Sequence, residues 1–468
     1  MTTINIKDDH GAEGDGTTDD TQAIQDAFDA ASSGDTVFFP GGNYIISDTI
    51  EFGSDFDIEG KDGDESKLTV DDGVVIDAVN WGQSDSFRDR QAMLAPEGKG
   101  SERQTLVTDT TIKSLTLDWN NAEMDGNSSP TPLWIDSADH ITAENVTVVN
   151  AESADWSDAP SGSDGRGTCI GVTHAEHISI DNCWVGTSNY RSIAILNPSE
   201  IVEVTNTTID TAQVWRHGAE VGALDDFPEP PTTVTFDNCT WITDATRGQA
   251  DMFTIHGGAD ITVKNSDFYL VESGSNIEDK GAIKLIADPH DLTDVTLENN
   301  SLTTDGDLDH DMTAFLVGDD RDPLVANITM RNNTVEGDWH TGVKITDEVD
   351  GVNTEYNLFN ASNTYDVSDG ADNIDLGPEG PFVTAGNIAH VTATIDNKGD
   401  DEGDQTITLK RNGDVVDDEE NVQIAASDSD TVVLDWQTDS GDVGEHTITA
   451  ESDDDSDSIT VEVTEPDV

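Results

Sequence analysis

The 468-residue sequence predicts an all-β chain: a right-handed parallel β-helix with a short N-terminal capping helix, followed by an immunoglobulin-like β-sandwich. Three observations carry this. One short phrase recurs between about residues 110 and 365 with an asparagine at a fixed place. The first 50 residues read as loop, amphipathic helix and strands. After a stretch at 372–381 (DNIDLGPEGP) the pattern changes to longer alternating strands joined by polar turns. The expected divisions are an N-terminal cap over 1–50, the β-helix over 51–371, a linker over 372–381 and the sandwich over 382–468.

The N-terminal elements follow from local chemistry. DDHGAEGDGTTDD, at 8–20, is a turn-rich loop. Residues 21–33 then place Ile24, Ala27, Phe28 and Ala31 on one helical face. Thr18 or Asp19 is positioned to cap that helix, and Gly34 to end it. Strands follow at Thr36-Val37-Phe38-Phe39 and Ile45-Ile46, joined through Pro40-Gly41-Gly42.

The recurring phrase appears as HITAENVTVVN, HISIDNCWVGT, IVEVTNTTIDT, TVTFDNCTWIT, DITVKNSDFYL, DVTLENNSLTT and NITMRNNTVEG. Its asparagines are Asn145, Asn182, Asn206, Asn238, Asn265, Asn299 and Asn332, spaced 37, 24, 32, 27, 34 and 33 residues apart. An irregular period of short strands is the mark of a solenoid. Second strands lie between the phrases, at TCIGV, SIAIL, GAEVG, MFTIH, AIKLI and GVKIT. Each coil thus holds at least two strands, and stacking coils about 4.8 Å apart gives every backbone group a partner. The repeated asparagine is expected at a turn with its amide buried, bonding to its neighbour in the next coil.

Composition bounds the function. There are 98 Asp and Glu against 21 Lys and Arg, for a formal charge of −77. A surface of that sign excludes binding nucleic acid through phosphate attraction. Disorder is excluded by the 34% hydrophobic content, nine tryptophans and sustained alternation. A folded chain this acidic suits molar salt, where the Debye length is about 3 Å. No run approaches the roughly 20 apolar residues of a membrane span. Cys169, Cys183 and Cys239 give no disulfide framework. Cys183 and Cys239 hold the same place with one coil between them, about 10 Å apart and too distant to bridge, and read as small buried apolar residues. The opening residues Met1 to Lys7 do not form a signal peptide, so export by the general secretory route is not expected.

The segment IKDDHGAEGDGTTDDTQAIQDAFDAASSGDTVFFPGGNYII resembles the N-terminal signature of the pectate-lyase-like β-helix superfamily. There a GA.GDG.TDDT.AIQ.A loop and helix cap the solenoid, and G.TV.FP.G.Y forms the first coil. The repeats extend the resemblance to about residue 365. The C-terminal stretch HVTATIDNKGDDEGDQTITLKRNG is similar to CARDB-type immunoglobulin-like modules. The composition resembles that of haloarchaeal proteins and their viruses. The scaffold is shared by tailspikes, polysaccharide lyases, glycosidases and epimerases, so the resemblance implies the fold and leaves the activity open.

Aligning the second strands on their inward residues stacks Gly171, Ala194, Glu220, Thr254, Lys284 and Lys344 in one outward column. Tyr190, Arg216, Ala250, Lys280 and His340 form another, beside Arg191, His217, Asp251 and Gly281. Four of the 21 basic residues, Arg191, Arg216, Lys280 and Lys284, therefore share a face. The catalytic candidates are Glu220, Asp251, His217, Arg191 and Lys280. Arg191 or Lys280 is suited to stabilising an enolate in β-elimination, with His217 or Tyr190 as base or acid. Glu220 and Asp251 alternatively supply the carboxylate pair of a glycosidase. Tyr190, Arg216, Lys284, Trp156 and Arg166 are the substrate-binding candidates, the last two from the insertion at 151–167. A plain salt-bridge network accounts for the same residues without chemistry. A second insertion at 80–104 carries Trp81, Arg88, Arg90 and Arg103 and reads as a solvated loop, with a glycan or subunit contact as the other reading.

No metal site is assigned. The acid clusters Asp15/Asp19/Asp20, 305–311 and 453–457 offer oxygen ligands for Ca²⁺, but a hydrated halophilic surface explains them better. His140 and His177 recur at strand starts and read as exposed turn residues. Eight N-x-Ser/Thr sequons mostly coincide with the repeated asparagines, which explains them structurally.

The function expected is a virion surface spike, fibre or turret-type protein of a halophilic archaeal virus that binds host surface glycans and is open to cleaving them. The alternative is an exported haloarchaeal polysaccharide lyase or glycoside hydrolase. A third is a purely structural decoration protein or adhesin. Expected partners are a cell-surface or extracellular glycan, further virion proteins and copies of the chain itself, with a trimer as default. The expected location is the virion surface, with the extracellular space as alternative.

Overall fold

The computed structural model describes residues 1–61, 65–72, 74–76, 90–97, 106–120, 122, 129–151, 167–188, 191–196, 199–210, 217–222, 229–245, 251–273, 281–305, 312–318, 324–347, 349–355, 357–368, 371–376, 382–384, 388–396, 403–424, 429–452 and 456–464. They form two compact units, the first comprising 1–353 and 359–375, the second 354–358 and 376–468.

The first unit is a parallel β-helix built of three strand ladders. One ladder runs through thirteen parallel strands. Its inward column reads Val37, Ile58, Ile112, Ala143, Ile180, Val204, Phe236, Val263, Leu297 and Met330, each paired in register with the next. Every one is fully buried. In strand Thr232–Asp237 the alternation between core and solvent runs from Thr233 onward, with Val234 and Phe236 buried and Thr235 and Asp237 half-buried. That alternation is what a half-buried strand requires, and it made the phrase readable.

A second ladder begins two residues beyond each phrase strand. Strand Glu176–Asp181 is followed by Trp184–Ser188, Glu200–Thr205 by Thr208–Asp210, and Gly258–Lys264 by Asp267–Ser273. The third ladder holds the second strands read from the sequence, together with Leu133–Asp136 and Thr313–Val317, which the sequence reading did not include. Each of these coils therefore carries three strands. The aromatic core lies between the ladders: Trp241 stacks on Phe268 with centroids 4.3 Å apart, and Phe236 meets Phe253 at 4.8 Å.

The two-residue corner between the first and second ladders corrects the sequence reading of the repeated asparagine. All seven asparagines have φ between 50° and 59°, the left-handed region that asparagine tolerates. That conformation turns their side chains outward, and six of the seven are exposed. Their amides still form a ladder: Asn238 donates to Asn206 at 2.7 Å, Asn299 to Asn265 at 3.1 Å and Asn332 to Asn299 at 3.0 Å. The buried ladder is built by the next residue: Cys183, Thr207, Cys239, Ser266, Asn300 and Asn333. There the Ser266 N–H donates to Asn300 Oδ1, and the Asn300 N–H to Asn333 Oδ1. Cys183 and Cys239 are free and buried, with Thr207 in the coil between them. Burial pushes both thiols up to about 12.

The helix spans Thr21–Ala30 and buries Ile24, Ala27 and Phe28; the Phe28 ring meets Phe39 and Phe56 edge-on. It is shorter than the sequence suggested. Its flanking residue is Asp20, not Thr18 or Asp19, and the Asp20 carboxylate does not cap it. That carboxylate accepts the N–H groups of Glu13 and Gly14 instead. Asp15 accepts the N–H groups of Thr17 and Thr18, and Asp19 accepts from Thr21 and Ser47. The Asp15/Asp19/Asp20 cluster is thus spent on organising its own loop.

Asp372–Asp375, inside the segment expected to be a linker, forms the last strand of the thirteen-stranded ladder, with Asp350 opposite Asp372. In the second unit, Gly403–Arg411, Asp414–Ile424, Gly444–Glu451 and Ser456–Thr464 pair antiparallel, and Phe382–Thr384 adds parallel to the last of them. Ile388–Asp396 pairs separately with Ser429–Gln437. Ile407, Leu409, Leu434, Trp436, Ile448 and Val463 form its core, and the Arg411 guanidinium lies over Trp436 while pairing with Asp442.

Candidate functional site

The third ladder sets the candidate face. Its inward columns run Ile170, Ile193, Ala219, Phe253, Ile283, Phe315 and Val343, and Val172, Ile195, Val221, Ile255, Leu285, Val317 and Ile345. The outward column between them is Trp134, Gly171, Ala194, Glu220, Thr254, Lys284, Leu316 and Lys344. Leu316 comes from Thr313–Val317, a coil the sequence reading had passed over between Lys284 and Lys344. Arg191 pairs with His217, and His217 with Asp251, in the neighbouring column.

Several of these outward side chains are buried. Arg191 is 6% exposed, Glu220 3%, Asp251 2% and Thr254 0%. Arg191 grips Glu220, one coil on, with two prongs: Nε meets Oε2, and Nη2 donates to Oε1 at 2.8 Å. His256 Nε2 lies 3.8 Å from the same Oε1. The Thr254 hydroxyl is 3.5 Å from Asp251 Oδ2. A planar guanidinium matched to a carboxylate fixes both groups in one orientation. Removing either partner strands a buried charge. Lys284 stands half-buried one coil beyond Thr254.

Trp134, at the head of the column, is 2% exposed and packs against Ala92 and Ala95. Gly171 beneath it has to be glycine, because a Cβ there would sit 2.3 Å from the indole ring.

Of the expected site residues, the structure brings together Arg191, Glu220 and Asp251, with Lys284 in the same column. His217 lies in the strand between Arg191 and Asp251. Tyr190, Arg216, Lys280, Trp156 and Arg166 lie outside the described residues, as do Trp81, Arg88 and Arg103. The sequence reading did not single out His256, Trp134 or the Asp136 group. His256 was within reach, since it closes the MFTIH strand opposite Gly222, two residues past Glu220. Asp136 accepts the Thr173 hydroxyl at 2.6 Å and meets His174 Nδ1 at 2.9 Å. That contact spans 38 residues and follows from coil stacking rather than from any local motif.

Residues 3–215 match a family described as rhamnogalacturonase A/epimerase, pectate lyase-like. Among curated proteins, alginate lyase 7 of Azotobacter vinelandii is 31% identical over 129 residues, which is 26% of this chain. The match spans only 13% of that relative's length. Among solved structures, the A-module of mannuronan C-5 epimerase AlgE6 from Azotobacter vinelandii superposes with a TM-score of 0.55 at 16% identity. It covers 81% of this chain and 99% of its own. The A-module of the AlgE4 epimerase from the same organism gives 0.50 at 16% identity, covering 78% and 97%. The family match over residues 3–215 and the parallel β-helix of the first unit agree with a pectate-lyase-like fold. No described helix is long and apolar enough to cross a membrane.

Proposed function

We propose that the chain binds an acidic polysaccharide along the outward face of the third ladder and acts on it there. The observation that carries this reading is the buried Arg191–Glu220 pair beside buried Asp251, with Lys284 in the same column. In so acidic a chain, basic groups gathered on one face offer uronate carboxylates a local exception to the surrounding field. Arg191, anchored by Glu220, is a fixed cation. Asp251 and His217 are the groups we assign to proton transfer, and the sequence expectation of substrate binding by Tyr190, Arg216, Lys280, Trp156 and Arg166 rests on residues outside the described ones. The alginate lyase match favours elimination over hydrolysis as the chemistry.

We place the protein on the surface of a halophilic archaeal virion, as a spike, fibre or turret-type trimer. The salt-adapted composition supports that setting. In this reading the N-terminal helix caps the solenoid, and the second unit is a CARDB-like immunoglobulin module. An exported haloarchaeal lyase is the second reading, favoured by the same alginate lyase match. Incubation with uronate polymers and haloarchaeal envelope glycan in molar salt tests both. Unsaturated products absorbing in the ultraviolet are expected, and loss of that signal in Asp251→Asn. Unchanged substrate together with unimpaired glycan adhesion by Asp251→Asn leaves a binder only. Absence of the chain from purified virions refutes the viral setting.

A further inference from the structure

Asp139, His140 and His177 come together on the outer edge of the first ladder, away from the ladder that carries the candidate site. His140 and His177 hold the same place in consecutive coils, one at each strand start, both with left-handed backbone (φ 54° and 50°). The register skips them: Asp139 pairs with Glu176, and Ile141 with Ile178. The two imidazoles therefore stand one above the other, with ring centroids 4.4 Å apart and planes 19° from parallel. His140 Nδ1 is 2.7 Å from Asp139 Oδ1, and His177 Nδ1 is 2.9 Å from the same oxygen. All three donor atoms lie within 4.8 Å of one another.

We propose that Asp139, His140 and His177 form a binding site for a divalent transition-metal ion of the zinc class. Two imidazole nitrogens and one carboxylate oxygen are a donor set that suits Zn²⁺ and leaves one position to water or chloride. Ca²⁺, which takes oxygen ligands, does not suit it. Tetrahedral bonds of about 2.0–2.1 Å set ligand atoms roughly 3.3 Å apart, so as the metal enters the 2.7 and 2.9 Å contacts open and each ring turns about its Cβ–Cγ bond, out of the stack, to aim its in-plane Nδ1 lone pair at the ion. Both histidines are exposed enough to make that adjustment, with side chains 55% and 42% accessible. Glu176, exposed and in register with Asp139, adds negative charge beside the site. The ion would staple coils whose sequences are 37 residues apart.

The test is calorimetric titration of the metal-stripped full chain with ZnCl₂ in molar KCl, with Co²⁺ absorption as an independent readout. One saturable site is expected, with the visible d–d bands of four-coordinate cobalt. His177→Ala and His140→Ala should each weaken binding by more than the about 10- to 100-fold that loss of an outer partner costs. Excess CaCl₂ should not displace the ion. Zinc affinity unchanged in the His140→Ala/His177→Ala double variant would overturn the proposal, as would displacement by equimolar Ca²⁺. Thermal midpoints of the metal-free variants guard against misfolding. They should equal that of the metal-free parent, while only the parent gains stability on adding Zn²⁺.

Discussion

Two strand ladders of the same coils meet solvent in different ways. In the thirteen-stranded ladder the outward column (Thr142, Ser179, Glu203, Thr235, Thr262, Thr296) is half-buried or exposed. In the third ladder, strands Thr168–Thr173 and Arg191–Leu196 are buried at every position, on both faces. The first ladder is a one-sided sheet whose outer face meets water. The third is two-sided, so its outward polar groups must satisfy one another. A buried polar pair is costly unless fully matched, which makes that face the place where sequence is least free to drift.

The largest expected effect breaks that matching. Arg191→Met should cost about 3–5 kcal/mol in denaturant unfolding, by leaving Glu220 buried without its guanidinium. The double variant Arg191→Met/Glu220→Leu should recover most of it. Glu203→Gln, at the outward position of the one-sided ladder, should shift stability by no more than about 0.5 kcal/mol. Equal losses at Arg191 and Glu203 would erase the distinction between the two ladders.

The corner sharpens the comparison residue by residue, because its two positions face opposite ways. Asn300→Val strands the Ser266 N–H and the Val263 carbonyl and should cost about 1–3 kcal/mol for each group left unpaired. Asn299→Gly, one residue earlier, suits the left-handed backbone and should cost only a few tenths of a kcal/mol. Thiol labelling probes the same inner side. At pH 8 the folded protein should resist alkylation, since Cys183 and Cys239 are pushed up to about 12, and all three cysteines should label after unfolding.

The smallest effect is at the exposed N-terminal loop. The N–H groups of Thr18 and Thr17 hold the Asp15 carboxyl down to about 2. A depressed carboxyl stabilises the fold above its unfolded value of 3.8 and loses that contribution as pH falls through about 2. Asp15→Asn should thus be slightly less stable at neutral pH, with the gap to the parent closing as pH approaches 2.

The two faces also explain what could be read in the sequence. Alternation in phrases such as TVTFDN signals a one-sided strand and reveals the coils and their register. Runs such as TCIGVT and RSIAIL signal only that something is buried, so the outward Arg191–Glu220 pairing had to come from stacking. The repeated asparagine was placed on the wrong side because asparagine suits both a buried amide ladder and a left-handed turn. Asn300 and Asn333, one residue later, fill the buried role that the more regular Asn299 and Asn332 suggested. The histidine pair was visible as a repeat at 37 residues, and Asp139 was missed because it sits beside the repeat rather than in it.

The corner after each phrase strand always holds two residues: Asn182-Cys183, Asn206-Thr207, Asn238-Cys239, Asn265-Ser266, Asn299-Asn300. The other corners do not keep count: two residues separate Ser188 from Arg191, and sixteen separate Ala151 from Thr168. One edge of the solenoid therefore acts as a metronome, and the other edges absorb all changes of tempo. Lengthening a loop there costs only about 0.6 kcal/mol per doubling, whereas one extra residue at the fixed corner throws the side chains of the strand that follows to the opposite face. Inheritance can lengthen and shorten this molecule freely, provided it does so along the borders of the two-sided ladder.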